Sequence, residues 1–169
     1  MLVLFDIDGT LIALAKIGDV KSEDGSSEFE PIIAKFLGDS SQQIAETAAV
    51  SLGILANDAS VAKLKDLMLD TPEGRKLVGS TEVSPRSRAF AAYGLGLIGH
   101  STNDNALRQN IAEHLIDVLV MLQEKTHGNL DPDEKIALDS AAVELQQVFT
   151  MRAQQLQEQA LNQPGLDPG

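Results

Sequence analysis

The feature that most constrains this chain is that it repeats itself. Ala48-Ala49-Val50-Ser51-Leu52-Gly53-Ile54-Leu55-Ala56 aligns without a gap on Ala91-Ala92-Tyr93-Gly94-Leu95-Gly96-Leu97-Ile98-Gly99, at an offset of 43 residues. Both alanines, the first leucine and the glycine after it are identical. Weaker copies flank the pair: Leu14, Ile17 and Gly18 answer Leu52, Leu55 and Ala56 at an offset of 38, and Ala141-Ala142 with Leu145 answer Ala91-Ala92 with Leu95 at 50. A period near 40 that wanders by several residues fits helical repeats joined by loops of variable length.

Inside each copy the apolar spacing is helical. Ile44, Ala48, Leu52 and Leu55 share one stripe, and Ala91, Ala92, Leu95 and Ile98 share the matching one. Start signals agree with this reading. Ser84-Pro85 reads as N-cap and first helical residue, and Asp131-Pro132 does the same with Glu134 placed for a capping box. Asp39-Ser40 and Asn103-Asp104 mark two more starts. Partner helices are predicted at 28–37, 59–69 and 105–123, the last with Leu107, Ile111, Leu115, Val118, Leu119 and Leu122 at helical spacing. A capped, Ala-rich first helix alternating with a Leu-rich second one predicts antiparallel pairs, each covering the apolar face of the next.

Ser87-Arg88-Ala89-Phe90-Ala91-Ala92, followed by Leu95 and Ile98-Gly99, resembles the HEAT-repeat superfamily, including its bilin-lyase-like branch. The resemblance spans residues 12–150 and implies an all-α fold, an α-solenoid of antiparallel helix pairs (HEAT-like repeats). Ala45 stands where Arg88 stands in the stronger copy, so that arginine is not shared by the two repeats. Residues 1–11 are read as a short non-repeat N-terminal segment, and 151–169 as a Gln-rich helix end closing on a Pro/Gly tail.

Composition narrows the function. A formal charge of −12 argues against duplex nucleic acid, whose phosphates draw affinity from Lys and Arg. The absence of cysteine excludes a disulfide framework, a thiolate metal site and a Cys nucleophile, and permits a reducing compartment. With no signal-peptide pattern and no run of about 18 apolar residues, neither secretion nor a membrane span is predicted, and a cytoplasmic setting is the expectation.

The opening, Met1-Leu2-Val3-Leu4-Phe5-Asp6-Ile7-Asp8-Gly9-Thr10-Leu11, resembles the first motif of the haloacid dehalogenase superfamily. That resemblance implies a strand ending at Asp6, with Asp6 attacking phosphorus and helping to hold Mg2+, and Asp8 protonating the leaving group. Two carboxylates one residue apart share one side of an extended chain. The chemistry also needs later strands, each carrying further catalytic groups, and downstream apolar segments run with helical periodicity instead. Continuing the repeat register backwards would put Asp8-Gly9-Thr10 inside a helix, where Gly costs about 1 kcal/mol relative to Ala. The first ten residues are therefore expected to form a strand-like or unrelated extension.

Two other features complete the reading. Residues 71–83 interrupt the repeat with Pro72-Glu73-Gly74 and the basic pair Arg75-Lys76; with Lys63, Lys65, Arg86 and Arg88 they form the one locally basic stretch, a candidate binding loop. Gly94-Leu95-Gly96-Leu97-Ile98-Gly99 imitates a dinucleotide fingerprint but closes a helix rather than opening one. His100, His114 and His127 lack partners at metal-ligand spacing, so no metal or other cofactor is expected. The preferred reading is a non-catalytic scaffold for a protein or peptide partner; the alternative is a magnesium-dependent phosphohydrolase using Asp6 and Asp8.

Overall fold

The computed structural model describes residues 6–20, 22–23 and 26–161; these form eight α-helices and no strand. The fold is all-α. The helices are α1 (Ile7–Ile17), α2 (Phe29–Ala34), α3 (Gln42–Leu55), α4 (Asp58–Leu69), α5 (Pro72–Val78), α6 (Pro85–Ser101), α7 (Asn105–Lys125) and α8 (Pro132–Leu161), with a 3-10 turn at Lys35–Gly38 after α2. The chain divides into two units, residues 1–108 and 109–169. The apolar run of residues 1–5 and the tail at 162–169 lie outside the described residues.

Within the first unit, α3 is the central element, lying between α1 and α6. Polar contacts fix the direction of this row. Gln43 at the start of α3 donates to Asp8 at the start of α1. Gln42 donates to Ser87 at the start of α6, 3.2 Å away, and Arg86 donates to Glu46 at 2.8 Å. About two turns beyond Glu46 along α3, Gly53 meets Gly94. Early residues thus meet early residues and later ones meet later ones, so α1, α3 and α6 run side by side in the same direction. Their shared core is small-residue and leucine: Leu11 and Ala15 from α1, Ala45, Ala48, Ala49 and Leu52 from α3, Ala91, Leu95 and Ile98 from α6.

The crossing of α3 and α6 is closed to any side chain. A Cβ on Gly53 would lie 2.6 Å from the Gly94 Cα and 2.7 Å from the Gly94 carbonyl oxygen, and one on Gly94 would lie 2.7 Å from the Ala49 carbonyl oxygen. Leu64 of α4 closes the other side of Gly94, its Cδ1 3.1 Å from the same position. α4 packs chiefly against α6 and α5, burying Leu64, Leu67 and Met68, and touches α3 only at the margin. The main neighbours of α3 are therefore not its sequence partner α4 but α1 and α6. Glycine explains this preference, because it lets two helix backbones approach more closely than a leucine-faced helix can.

The structure departs from the sequence reading at several points. Matching at an offset of 43 equates Gly53 with Gly96, yet Gly96 is exposed with nothing within 4 Å of a Cβ, and the glycine that Gly53 needs is Gly94. Another concerns the opening segment. Asp8-Gly9-Thr10 is not a strand end or an extension but the first turn of α1, with Asp6 as its N-cap. The Asp6 carboxylate accepts from the Gly9 N–H at 3.2 Å, and the Thr10 hydroxyl donates to the Asp6 carbonyl at 2.7 Å. Capping, typically worth about 1 kcal/mol, offsets the cost of glycine in a helix. Asp8 adds a negative charge at the positive end of the helix dipole. Gly9 also suits its place, since a Cβ there would stand 3.0 Å from Oδ2, the other oxygen of the Asp6 carboxylate.

Most other helix starts are where their caps indicate. The Ser84 hydroxyl accepts from the Ser87 N–H at 3.1 Å, and Asp131 and Glu134 form a complete capping box, each side chain accepting from the other's N–H at 2.8 and 3.1 Å. Asp104 accepts from Ala106 and Leu107 at the start of α7. Residues 72–78, expected as loop, form α5. Thr71 caps it, accepting from the Gly74 N–H at 3.1 Å, and Pro72 fits its first position.

The crossing makes a discriminating prediction. Gly53→Ala should destabilise the protein by about 1–3 kcal/mol through overpacking, whereas Gly96→Ala should stabilise it by about 0.5–1 kcal/mol by removing a flexible residue from a helix. Urea unfolding followed by circular dichroism reads both. Equal effects at the two positions would refute the assignment of the crossing.

Candidate partner-binding surface

The basic residues singled out in the sequence are engaged inside the first unit, with one exception. Arg75 forms a two-pronged pair with Asp70, Nε to Oδ1 at 2.9 Å and Nη2 to Oδ2 at 2.6 Å. Arg86 pairs with Glu46 through one hydrogen bond, Nη2 to Oε2 at 2.8 Å, with Nε 2.7 Å from Oε1 in the same ion pair. Arg88 donates from Nε to the Met68 carbonyl at 2.8 Å, satisfying an orphan acceptor in the last turn of α4. Lys76 pairs loosely with Glu73 at 3.7 Å and is 78% exposed. The four do not converge on a common point in space that the hydrogen bonds reveal; three of them brace helix ends and a buried carboxylate.

Asp70 shows why such bracing is needed. It sits at φ +55°, a left-handed conformation that costs a non-glycine residue energy but that Asp tolerates better than most. Its carboxylate is held from two sides, by Arg75 and by the Val83 N–H, which donates to Oδ1 at 2.8 Å. The Arg75 hydrogen bond first, then the Val83 bond, lowers its pKa from 3.8 to about 2. Glu46, buried beside α6, is lowered chiefly by its hydrogen bond with Arg86.

Because the folded-state pKa of Asp70 is depressed, its contribution to stability is complete above about pH 4 and is lost as pH falls towards about 2. Asp70→Asn keeps a residue that accepts positive φ but cannot pair with Arg75. The melting temperature of wild type should exceed that of the variant by a constant margin near neutral pH, and the margin should shrink as pH falls from about 4 to about 2. A margin independent of pH throughout that window would contradict the assigned ion pair.

Asp6 and Asp8 are not positioned as a nucleophile and an acid. Asp6 is occupied as a cap and Asp8 accepts from Gln43, both at the start of a helix. Among the described residues, no group of three or more His, Asp or Glu could hold a metal ion. No described helix is long and apolar enough to cross a membrane.

The second unit presents a different kind of surface. Among its described residues only Ile111 on α7 and Ala142 on α8 are fully buried. Gln123 on α7 donates to Asp139 on α8 at 2.8 Å across the turn between them. On α8, Ile136 is 63% exposed, Val143 49%, Leu145 47%, Val148 57% and Met151 55%. At 3.6 residues per turn Ile136, Val143, Val148 and Met151 fall within an arc of about 140°. Leu145 falls about 60° outside that arc. Sequence periodicity did not isolate this band. It assigned Ala141-Ala142 and Leu145 to a repeat core, and α8 carries apolar residues on so much of its circumference that no single face stands out. The available signal was that excess itself: a helix with more apolar residues than one face can hold needs two neighbours.

Comparison with known proteins bears on the same region. A family described as a domain of unknown function, DUF1844, matches residues 87–151, from the first turn of α6 to Met151 on α8. No curated protein matches the chain, and no solved structure does. The match is neither to HEAT repeats nor to the haloacid dehalogenase superfamily, which overturns both resemblances drawn from the sequence. For the second, the capped helix at Asp6 supplies the physical reason. For the first, the recurring Ala-Ala-x-x-Leu spacing is one that close helix packing on small residues favours in general, so it does not single out a family.

Proposed function

We propose that this chain is a non-catalytic helical module that holds a protein partner on the exposed apolar band of α8. The observation that carries the reading is the exposure of Ile136, Val143, Val148 and Met151 on one face of a helix. The matched family segment ends at Met151 and so includes the whole band, which supports treating it as part of a single unit of function. In this reading the row of α1, α3 and α6 within the first unit is a short solenoid-like stack.

Magnitude indicates the kind of partnership. Full burial of a Val, Ile or Met side chain contributes roughly 1.5–3 kcal/mol. Covering the exposed half of four such side chains therefore yields on the order of 3–6 kcal/mol. That is close to the lower end of the association cost, about 4–15 kcal/mol. The band alone thus supports a modest, reversible complex whose specificity comes from what surrounds it.

Wild-type protein and the double variant Val143→Asp with Met151→Asp, immobilised in parallel, test the reading in extract of the source cells. A protein retained in stoichiometric amount by wild type and lost with the variant is the expected result, with unchanged helicity by circular dichroism. Identical retention by both would show that α8 is not the binding surface.

A further inference from the structure

The apolar band on α8 has charged residues within its arc, and they are all of one sign. Asp133, Glu144 and Glu158 fall within the same arc of about 140° as Ile136, Val143, Val148 and Met151, whereas Lys135 and Arg152 fall outside it. All three acids are exposed. Lys135 is in any case turned to Asp139, with which it pairs. The capping box at Asp131 and Glu134 adds further negative charge at the N-terminal end of the helix.

We propose that the occupant of this band is a basic amphipathic helix of another protein, an inference that rests on the reading of α8 as a binding surface. Such a helix lays apolar residues at i, i+3, i+4 and i+7 along Ile136, Val143, Val148 and Met151, with flanking Lys or Arg opposite Asp133, Glu144 and Glu158. Charge decides among the possible occupants. A second copy of α8 brings the same three acids against their own kind, and like charges across an interface are a means of rejecting a partner. An anionic membrane surface or a nucleic acid is repelled for the same reason. A basic helix gains apolar burial and electrostatic attraction together, and the attraction also speeds its encounter.

The test uses the full chain and two fluorescent helical peptides of about 18 residues, five turns. They share one apolar stripe of Leu and differ only in carrying Lys or Glu on its flanks. By fluorescence anisotropy at low salt, the Lys peptide should bind at least about tenfold more tightly than the Glu peptide, and the gap should narrow as salt is raised. Val143→Asp with Met151→Asp should weaken the Lys peptide by about tenfold or more. The triple variant Asp133→Lys, Glu144→Lys and Glu158→Lys should reverse the preference. Equal binding of both peptides to wild type overturns the basic partner while leaving α8 as a binding surface. Binding of neither peptide overturns it too, and the extract experiment then decides the surface independently. A wild-type dimer in sedimentation that Val143→Asp with Met151→Asp abolishes makes a second copy the occupant and overturns the inference as well.

Discussion

The first unit depends on two helix backbones meeting where no side chain fits. With the Cβ position of Gly53 only 2.6 Å from the Gly94 Cα, α3 and α6 approach more closely than ordinary side-chain packing permits. Everything around the crossing follows from that closeness. Ala49 flanks it, Leu52 and Leu95 are buried next to its two glycines in the chain, and Leu64 of α4 seals its edge. Gly74 repeats the device where α5 lies against the end of α4, its Cβ position 2.2 Å from the Asp66 carbonyl oxygen.

Close backbones leave polar groups to be satisfied at the ends of helices, and several charged residues of the first unit serve that task. Arg88 takes up a carbonyl of α4, Asp70 and Arg75 fix the left-handed residue that ends the same helix, and Arg86 neutralises the buried Glu46. Lys63 pairs with the other buried acid, Glu30, at 2.8 Å. An acidic chain with few cations thus spends most of the cations of this region on its own structure. The exposed apolar and acidic residues on which the proposed function rests lie on α8.

Much of the fold was legible in residues whose effects are local. Ser84-Pro85, Asp131-Pro132 with Glu134, and Asp104 mark helix starts because a side-chain oxygen and a backbone N–H three residues apart settle the matter between them. Residues whose meaning depends on a distant neighbour were not legible in the same way. Gly53 and Gly96 look equivalent along the chain, but which glycine Gly53 touches is fixed by how α3 and α6 slide past one another. Asp6-Ile7-Asp8-Gly9-Thr10 illustrates the limit of a short motif: the same five residues suit a strand end that binds phosphate and a capped helix start, and only the surrounding chain chooses. The band on α8 was hidden for a third reason, since exposure cannot be read from a helix that is apolar on several sides.

The parallel arrangement of α3 and α6 is the claim on which this account stands or falls. Because the protein has no cysteine, a pair introduced at Gln42 and Ser87 offers a clean report. The two side chains are in hydrogen-bond contact at the starts of both helices. A short bifunctional thiol reagent should link Gln42→Cys to Ser87→Cys within one chain and should leave the pair Gln42→Cys and Ser101→Cys unlinked. Efficient linkage of the second pair instead of the first would mean that the helices run in opposite directions, and the Gly53–Gly94 crossing would have to be abandoned.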